Sequence, residues 1–342
     1  MKEVRFGIVG CGKIFNRHVE AIKLIEGAKL QAVSDTNEGL LQEVKQTYHV
    51  PEIYNSYENL LNDENVDMIV ICTPSGLHHK MVVEALKHDK HVLCEKPLAM
   101  KVSEAKEMHE LANTKNLYLF EVKQNRYSPA IQILHNAVTQ GWLGKILLGN
   151  ATVRWNRTEE YYKQADWFGT LSMDGGVILN QAIHHIDLLC WMMGKPTSTI
   201  GITRVLNHNI EAPDTALAIV EFENNKLGNL ELTTCAAPQN IEGSITIMGD
   251  KGTIKVGGKS LDSFDIWQVE GHEKPEIPTP EFSNHALLYK DILALFSGEE
   301  IDTLINAEES LKSLLLAEAI FMSSASNCKI LINHDSINCQ KY

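Results

Sequence analysis

Over the first third of the chain, short β-rich runs alternate with amphipathic stretches. The runs are residues 4–9, 30–34, 68–72, 91–94 and 117–122, and between them residues 13–25, 78–87 and 104–113 space their apolar side chains like one face of a helix. Strand and helix in strict alternation predict a parallel sheet with crossover helices on its faces. After residue 124 the rhythm changes. A helical stretch at 129–139 precedes strand-like runs at 146–155 and 215–222, punctuated by the turn signals Asn224-Asn225 and Gly249-Asp250-Lys251-Gly252. Residues 176–193 read as one long helix, and 285–296 and 307–323 as two more. The expected fold class is α/β: a doubly wound parallel sheet in residues 1–124, then an α+β domain in residues 125–342 with a largely antiparallel open sheet. The C-terminal helices have the option of packing back on the first domain.

Composition narrows the class. With 44% hydrophobic and 22% charged residues in a chain of 342, the balance is that of a globular protein of two domains, which excludes disorder, collagen-like repeats and coiled coil. Thirty-one Lys and Arg against 44 Asp and Glu leave a net charge of −13, and an acidic surface disfavours nucleic acid or an anionic membrane as partner. No apolar run reaches the roughly 18 residues of a membrane helix. Met1-Lys2-Glu3-Val4-Arg5 lacks the plan of a signal peptide, so a cytoplasmic location is expected. The seven cysteines, Cys11, Cys72, Cys94, Cys190, Cys235, Cys328 and Cys339, contain no close pair and read as reduced, mostly buried thiols.

Gly10-Cys11-Gly12 follows the first strand and opens the first helix, where a tight turn lets backbone approach a pyrophosphate. Phe15 stands where the dinucleotide fingerprint has its third glycine. Asp35, after the second strand, is placed to accept both ribose hydroxyls of an adenosine. Neither Thr36 nor Asn37 offers a cation for a 2′-phosphate, so NAD is expected rather than NADP. These features make the first domain a Rossmann domain.

Glu95-Lys96-Pro97 lies at the carboxyl end of a strand, on the edge where such sheets bind ligands. An amine beside a positive nicotinamide ring loses its proton more readily and could help to deprotonate an alcohol. A strand-end lysine is nevertheless more often a solvated surface charge. Asp174-Gly175-Gly176 starts the long helix, on which Asn180, His184 and Asp187 share a face opposite Ala182, Ile183, Ile186 and Leu189. Amide, imidazole and carboxylate in line suit an active-site wall with His184 as proton carrier; a histidine capped by Asp187 is the plainer alternative. His184-His185 with Asp187 raises a metal site too, but no second His/Cys cluster at suitable spacing completes a coordination shell, and no metal is expected.

Arg154-Trp155-Asn156-Arg157, with Tyr161, Tyr162 and Trp167, crowds cations and aromatics into a short stretch. Guanidinium forks suit phosphate and carboxylate, and aromatic faces suit a base or sugar; an edge strand with amphipathic anchors would show the same residues. Lys123-Gln124-Asn125-Arg126 adds cations and amides at the junction of the domains.

These residues resemble the glucose-fructose oxidoreductase / inositol dehydrogenase (Gfo/Idh/MocA) family of NAD(P)-dependent sugar oxidoreductases over nearly the whole chain. The likeness rests on Gly10-Cys11-Gly12, Cys72-Thr73-Pro74-Ser75 with His78, Glu95-Lys96-Pro97, the segment from Asp174 to His184, and Gly243-Ser244-Ile245-Thr246-Ile247 with Gly249-Asp250-Lys251-Gly252-Thr253. The resemblance implies Lys96 and His184 as the proton-transfer pair. It also implies an NAD site built from Gly10, Cys11, Gly12, Lys13, Ile14, Asp35, Cys72, Thr73, Pro74, His78, Glu95, Lys96 and Gln124, and assembly as a homodimer or homotetramer through the open sheet.

Within the family, Lys123-Gln124-Asn125-Arg126, the stretch from Trp155 to Trp167, Asn180-Gln181-Ala182 and Asn240-Ile241-Glu242-Gly243-Ser244 are similar to UDP-N-acetyl-2-amino-2-deoxy-D-glucuronate dehydrogenases. Those enzymes oxidise the 3-hydroxyl of a nucleotide-linked hexuronate on the way to diamino sugars of surface polysaccharides. A UDP-sugar is then the implied small-molecule partner, met by Lys96, Arg126, Arg154, Asn156, Arg157, Tyr161, Trp167, Asn180, Gln181 and His184, with the three arginines on diphosphate or uronate. In the inositol branch an aspartate precedes the active-site histidine by four residues. Here that residue is Asn180, which cannot accept a proton, and inositol becomes a less expected substrate. A general sugar dehydrogenase and a non-catalytic NAD-binding regulator are the alternatives, the retention of both Lys96 and His184 counting against the regulator.

Overall fold

The first run of the sequence, Val4–Val9, becomes β1 of a six-stranded sheet. Its companions are β2 (Ala28–Ser34), β3 (Glu52–Tyr54), β4 (Met68–Ile71), β5 (His91–Cys94) and β6 (Leu119–Glu121). All pairs are parallel, in the order β3-β2-β1-β4-β5-β6. β4 is buried at every position, as a strand covered on both faces must be. The connections run through α1 (Phe15–Leu24), α2 (Glu38–Tyr48), α3 (Tyr57–Leu61), α4 (His78–Lys87) and α5 (Val102–Thr114). Strand order reverses between β1 and β4, which puts the ligand crevice of such a sheet at their carboxyl ends. The structure is a computed structural model and describes residues 3–300, 307–333 and 337–340.

The second sheet starts with β7 (Ile146–Arg154), after α6 (Pro129–Thr139). The short α7 (Glu159–Tyr162) and α8 (Ile183–Met193) follow, then β8 (Pro196–Arg204), β9 (Thr215–Phe222), β10 (Lys226–Thr233), β11 (Glu242–Gly249), β12 (Gly252–Gly257) and β13 (Ser263–Val269). Helix α9 (Asn284–Phe296) returns to the first unit. Its Leu288, Tyr289, Ile292 and Leu293 join Phe6, Ile8, Phe15 and Val19 in one core. Helix α10 (Ala307–Ser326), β14 (Lys329–Ile332) and β15 (Ile337–Gln340) complete the second sheet, ordered β13-β12-β11-β7-β10-β9-β8-β14-β15. Only β7 and β10 pair in parallel among its described strands. β9 shows why one face is open: Ala216, Ala218, Val220 and Phe222 are buried, while Leu217, Ile219 and Glu221 are exposed.

The first unit runs to Tyr127 and takes in the segment from Pro280, the packing back that the sequence leaves open to the C-terminal helices. Two expectations change. Cys328 and Cys339 are joined in a disulfide at the β14–β15 hairpin, whereas Cys11, Cys72, Cys94, Cys190 and Cys235 are outside any disulfide. The single helix expected over 176–193 is two: Val177–Gln181 is π-helical, Ala182 breaks the turn at φ −105°, ψ 0°, and only then does α8 begin. Its start is fixed by Gly176, at φ +64°, where a side chain would fall 2.4 Å from the carbonyl oxygen of Pro213. The buried Asp174 carboxylate accepts from the Gly169 and Gly176 N–H groups, both at 3.1 Å, and from Asn180 Nδ2. That anchor draws Asn180 back into the wider turn. Among the described residues no helix is long and apolar enough to cross a membrane.

Asp214, wholly buried ahead of β9, organises the loop before it. Its carboxylate accepts from the N–H groups of Leu206 (2.9 Å), Asn207 (2.9 Å) and His208 (3.1 Å). Burial pushes its pKa up, but these N–H donors outweigh that and hold it down at about 2. Asp214→Ala should therefore cost at least about 2 kcal/mol in urea unfolding, because it strands buried donors. The contribution of Asp214 is complete above the ordinary carboxyl pKa and should fade as pH falls toward about 2, a slope the variant lacks.

Candidate active site

The turn between β1 and α1 is built around a close approach. Gly10 sits at φ +91°, and a side chain there would lie 2.7 Å from the carbonyl oxygen of Cys72 at the end of β4. Gly12 is the opposite case: a Cβ would meet nothing within 4 Å, so the bare backbone borders open space. Helix α1 starts there with no side-chain cap and no acidic residue in its first turn, the arrangement that receives an anion. Asp35 is held by the Cys11 N–H on Oδ2 at 2.8 Å and the Asn37 N–H on Oδ1 at 2.9 Å, which aims its carboxylate beside the turn. The bare backbone at Gly12 and the carboxylate of Asp35 are groups of the kind that hold a pyrophosphate and a ribose. Phe15, in place of the third glycine, is buried with its ring edge on Tyr48, 5.7 Å between centroids.

Around the strand ends further along, side chains tie down the loops. His78 lies buried between two carbonyl oxygens, Pro97 at 2.7 Å and Thr73 at 3.0 Å, so it joins the Cys72-Thr73-Pro74 segment to Glu95-Lys96-Pro97 from behind. Glu95 accepts the Lys96 N–H on Oε2 at 3.1 Å, and its Oε1 lies 3.0 Å from His18 Nε2. Burial alone would raise the Glu95 pKa; His18, His285 and Lys96 together bring it down to about 2. The Lys96–Pro97 bond is cis. Lys123 is buried in an ion pair with Glu121 at 3.1 Å, and Arg126 is buried in the turn Gln124–Tyr127. The surroundings of Cys72 push its thiol pKa well up.

In the second unit the cation and aromatic stretch divides in two. Arg154 donates to Glu231 through Nε (2.6 Å) and Nη2 (2.7 Å) and to Glu242 through Nη1 (2.8 Å). Its charge is neutralised on the half-exposed face of the sheet, across β7, β10 and β11. The expectation that Arg154 meets a diphosphate is therefore corrected, since two carboxylates at the guanidinium repel an anion. Arg157 is different. Nε donates to Gln181 Oε1 at 2.9 Å and Nη1 to the Asn156 carbonyl at 2.8 Å, both neutral, and the guanidinium lies 5.1 Å from the ring centres of Trp155 and Tyr161. Gln181 Nε2 donates to Tyr161 Oη at 2.8 Å, closing the group. Trp167 packs edge-on against Phe168, 4.3 Å between centroids. Asn156 is taken up locally, its N–H on Asn240 Oδ1 (2.8 Å) and its Nδ2 on the Ala236 carbonyl (2.5 Å).

His184, His185 and Asp187 are all buried, and Asn180 is turned onto Asp174. His185 is neutral, its pKa lowered to about 4 by burial.

Two matches to known families divide the chain as its sheets do: residues 4–122 match the oxidoreductase family with an NAD-binding Rossmann fold, and residues 131–255 match the GFO/IDH/MocA C-terminal domain. The WlbA dehydrogenase from Bordetella pertussis, solved with NADH and UDP-GlcNAcA, is 35% identical, with 97% of this chain and 99% of that chain covered and a TM-score of 0.88. The chain belongs to the GFO/IDH/MocA family. It is an NAD-dependent oxidoreductase of the type that acts on sugars and polyols. WlbA from Chromobacterium violaceum, also solved with NADH and UDP-GlcNAcA, is 32% identical over 98% of both chains, with a TM-score of 0.89. The myo-inositol 2-dehydrogenase of Thermotoga maritima is 29% identical over 73% of this chain and 74% of its own.

Two clusters escaped sequence reasoning. His18, Glu95 and His285 meet in the first unit, and His208, Asp214 and Cys235 meet in the second. Their members are up to 267 residues apart, and a lone histidine carries no periodic signal. His18 bonds Glu95, and His208 Nδ1 lies 3.0 Å from Asp214 Oδ2, so both read as hydrogen-bonded networks.

The open space beside Gly12 separates binding from folding. Gly12→Ala should leave the melting temperature within about 2 °C of wild type and raise the Kd for NAD at least about tenfold in calorimetric titration, because the methyl group occupies the pyrophosphate cradle.

Proposed function

We propose that this enzyme oxidises the 3-hydroxyl of a UDP-linked N-acetylhexosaminuronate to the 3-keto sugar, a step in making diamino sugars for surface polysaccharides. Arg157 carries the reading. It is a guanidinium braced between two aromatic faces whose hydrogen bonds go to neutral oxygens, so its charge remains available to a carboxylate or diphosphate. The full-length likeness to two dehydrogenases solved with UDP-GlcNAcA supports the same substrate class. Gln181 and Tyr161 hold Arg157 in place, and Trp167 packs on Phe168, the ring that stacks on Tyr161.

NAD lies along Gly10, Cys11, Gly12, Lys13, Ile14 and Asp35 in this reading, with its nicotinamide end toward Cys72, Thr73, Pro74, Glu95, Lys96 and Gln124. When bound, NAD supplies the acceptor for the hydride that leaves C3. Lys96, with His184, receives the proton of the 3-hydroxyl as the carbonyl forms. His78 acts through the loops it joins and is a positioning residue. Asn180, a neutral amide bonded to Asp174, orients without taking a proton. The enzyme works in the cytoplasm as a homodimer or homotetramer through the open face of the second sheet. There the exposed Ile200 and Ile202 stand opposite the exposed Ile219 and Leu217 as one apolar patch. A general sugar or inositol dehydrogenase is the second reading, favoured by the likeness to the myo-inositol enzyme.

Mixing the protein with NAD and UDP-N-acetylglucosaminuronate should raise the reduced-nicotinamide absorbance band, which UDP-N-acetylglucosamine and myo-inositol should not; a band with inositol alone would favour the second reading. Lys96→Ala should lower kcat by about 10²–10⁴-fold with NAD affinity kept, the range for loss of a general base. Near-full turnover in that variant would remove Lys96 from the mechanism.

A further inference from the structure

Glu95 sits at the end of a chain of hydrogen bonds that begins in the distant helix α9. Tyr289, wholly buried, has its hydroxyl 2.8 Å from His18 Nδ1, and His18 Nε2 is 3.0 Å from Glu95 Oε1. The Phe6 ring meets the tyrosine ring edge-on at 5.0 Å and fixes it. A buried phenol holds its proton, and burial pushes that of Tyr289 well above the ordinary range. His18 is thereby held between the phenol at Nδ1 and the carboxylate at Nε2, the nitrogen from which it can donate to Glu95. The other carboxylate oxygen takes the Lys96 N–H.

We propose that Tyr289 and His18 are positioning residues that keep Glu95 a permanent anion at the nicotinamide end of the cofactor site, so that the enzyme holds NAD in preference to NADH. The inference rests on the placement of Glu95 in the reading above. The oxidised nicotinamide ring is a cation and the reduced ring is neutral, so a fixed negative charge nearby discriminates between them.

The groups around Glu95 leave it in that role. From α1 comes His18, and from α9 come Tyr289 and His285, the latter lowered to about 4 by burial and by His18 and so neutral. Cys94 is the last residue of β5, just before Glu95, Cys72 follows β4, and both thiols are pushed well up by burial and stay protonated. His78, from α4, is lowered by burial, and Lys96 is the adjoining cation. Burial acts to protonate Glu95, and the His18 bond is the first of the contacts that oppose it.

The test uses the full chain and needs no sugar: calorimetric titration with NAD and with NADH, at about pH 5 and about pH 8, giving the ratio of the two dissociation constants. Wild type should show the same ratio at both pH values. Glu95→Gln should move the ratio toward NADH on the order of tenfold at both, the effect of one nearby charge at intermediate dielectric. Tyr289→Phe and His18→Gln should match wild type at the higher pH and approach Glu95→Gln at the lower, because a carboxyl deprived of its donor takes up a proton as pH falls. If Glu95→Gln leaves the ratio unchanged, Glu95 is not at the nicotinamide end and the placement fails. If Glu95→Gln moves it while Tyr289→Phe follows wild type at both pH values, the placement stands and the relay is overturned. Tyr289→Phe removes a single oxygen, so it decides the matter even where His18→Gln does not fold.

Discussion

Six parallel strands that end on one edge leave a row of backbone groups that no neighbouring strand completes, and the first unit depends on how these are satisfied. Side chains do it. Asp35 takes the Cys11 N–H, Glu95 that of Lys96 and Glu121 that of Leu98, while His78 bridges the carbonyls of Thr73 and Pro97. Each bond contributes on the order of 1 kcal/mol, but a donor left buried without one costs more. The loops at the strand ends are thereby fixed in place. Lys96 follows the best-braced residue of the edge, and Gly10 stays against Cys72 because no side chain separates them.

The second unit uses charge differently. Arg154 and Arg157 are three residues apart and share a chemistry, yet one is closed by Glu231 and Glu242 and the other, among the described residues, donates to neutral oxygens and lies over aromatic rings. Residue type could not separate them, because the carboxylates come from β10 and β11 through the register of the sheet. The same sheet buries alternate residues of β9 and leaves the others, Leu217 and Ile219 among them, exposed.

Much of the fold was legible along the chain. Alternating strands and helices, the Gly10-Cys11-Gly12 turn and Asp35 at the next strand end are local signals, and they specified a Rossmann unit that binds NAD. The polar face of the long helix was not legible. Periodicity placed Asn180, His184 and Asp187 in line, but Asp174 and the left-handed Gly176 wind the first turn wide, so the regular spacing does not hold there. Tyr289 and His285 stand at the start of a late helix where a cleft role and a core or cap role are equally open, and nothing in the pattern says that Tyr289 would reach His18.

Sequence by itself therefore determined what depends on near neighbours: the order of strands and helices, the glycine turn, the acidic residue after β2 and the family to which these belong. Tertiary structure decided which charges are neutralised and which remain available. Arg154, Glu95, Asp214 and the Cys328–Cys339 pair acquire their states from partners that the folded backbone brings alongside. The physical reason is that a charged group's behaviour is set by burial and by the few atoms within hydrogen-bond reach, and those are properties of position in space rather than position in the chain.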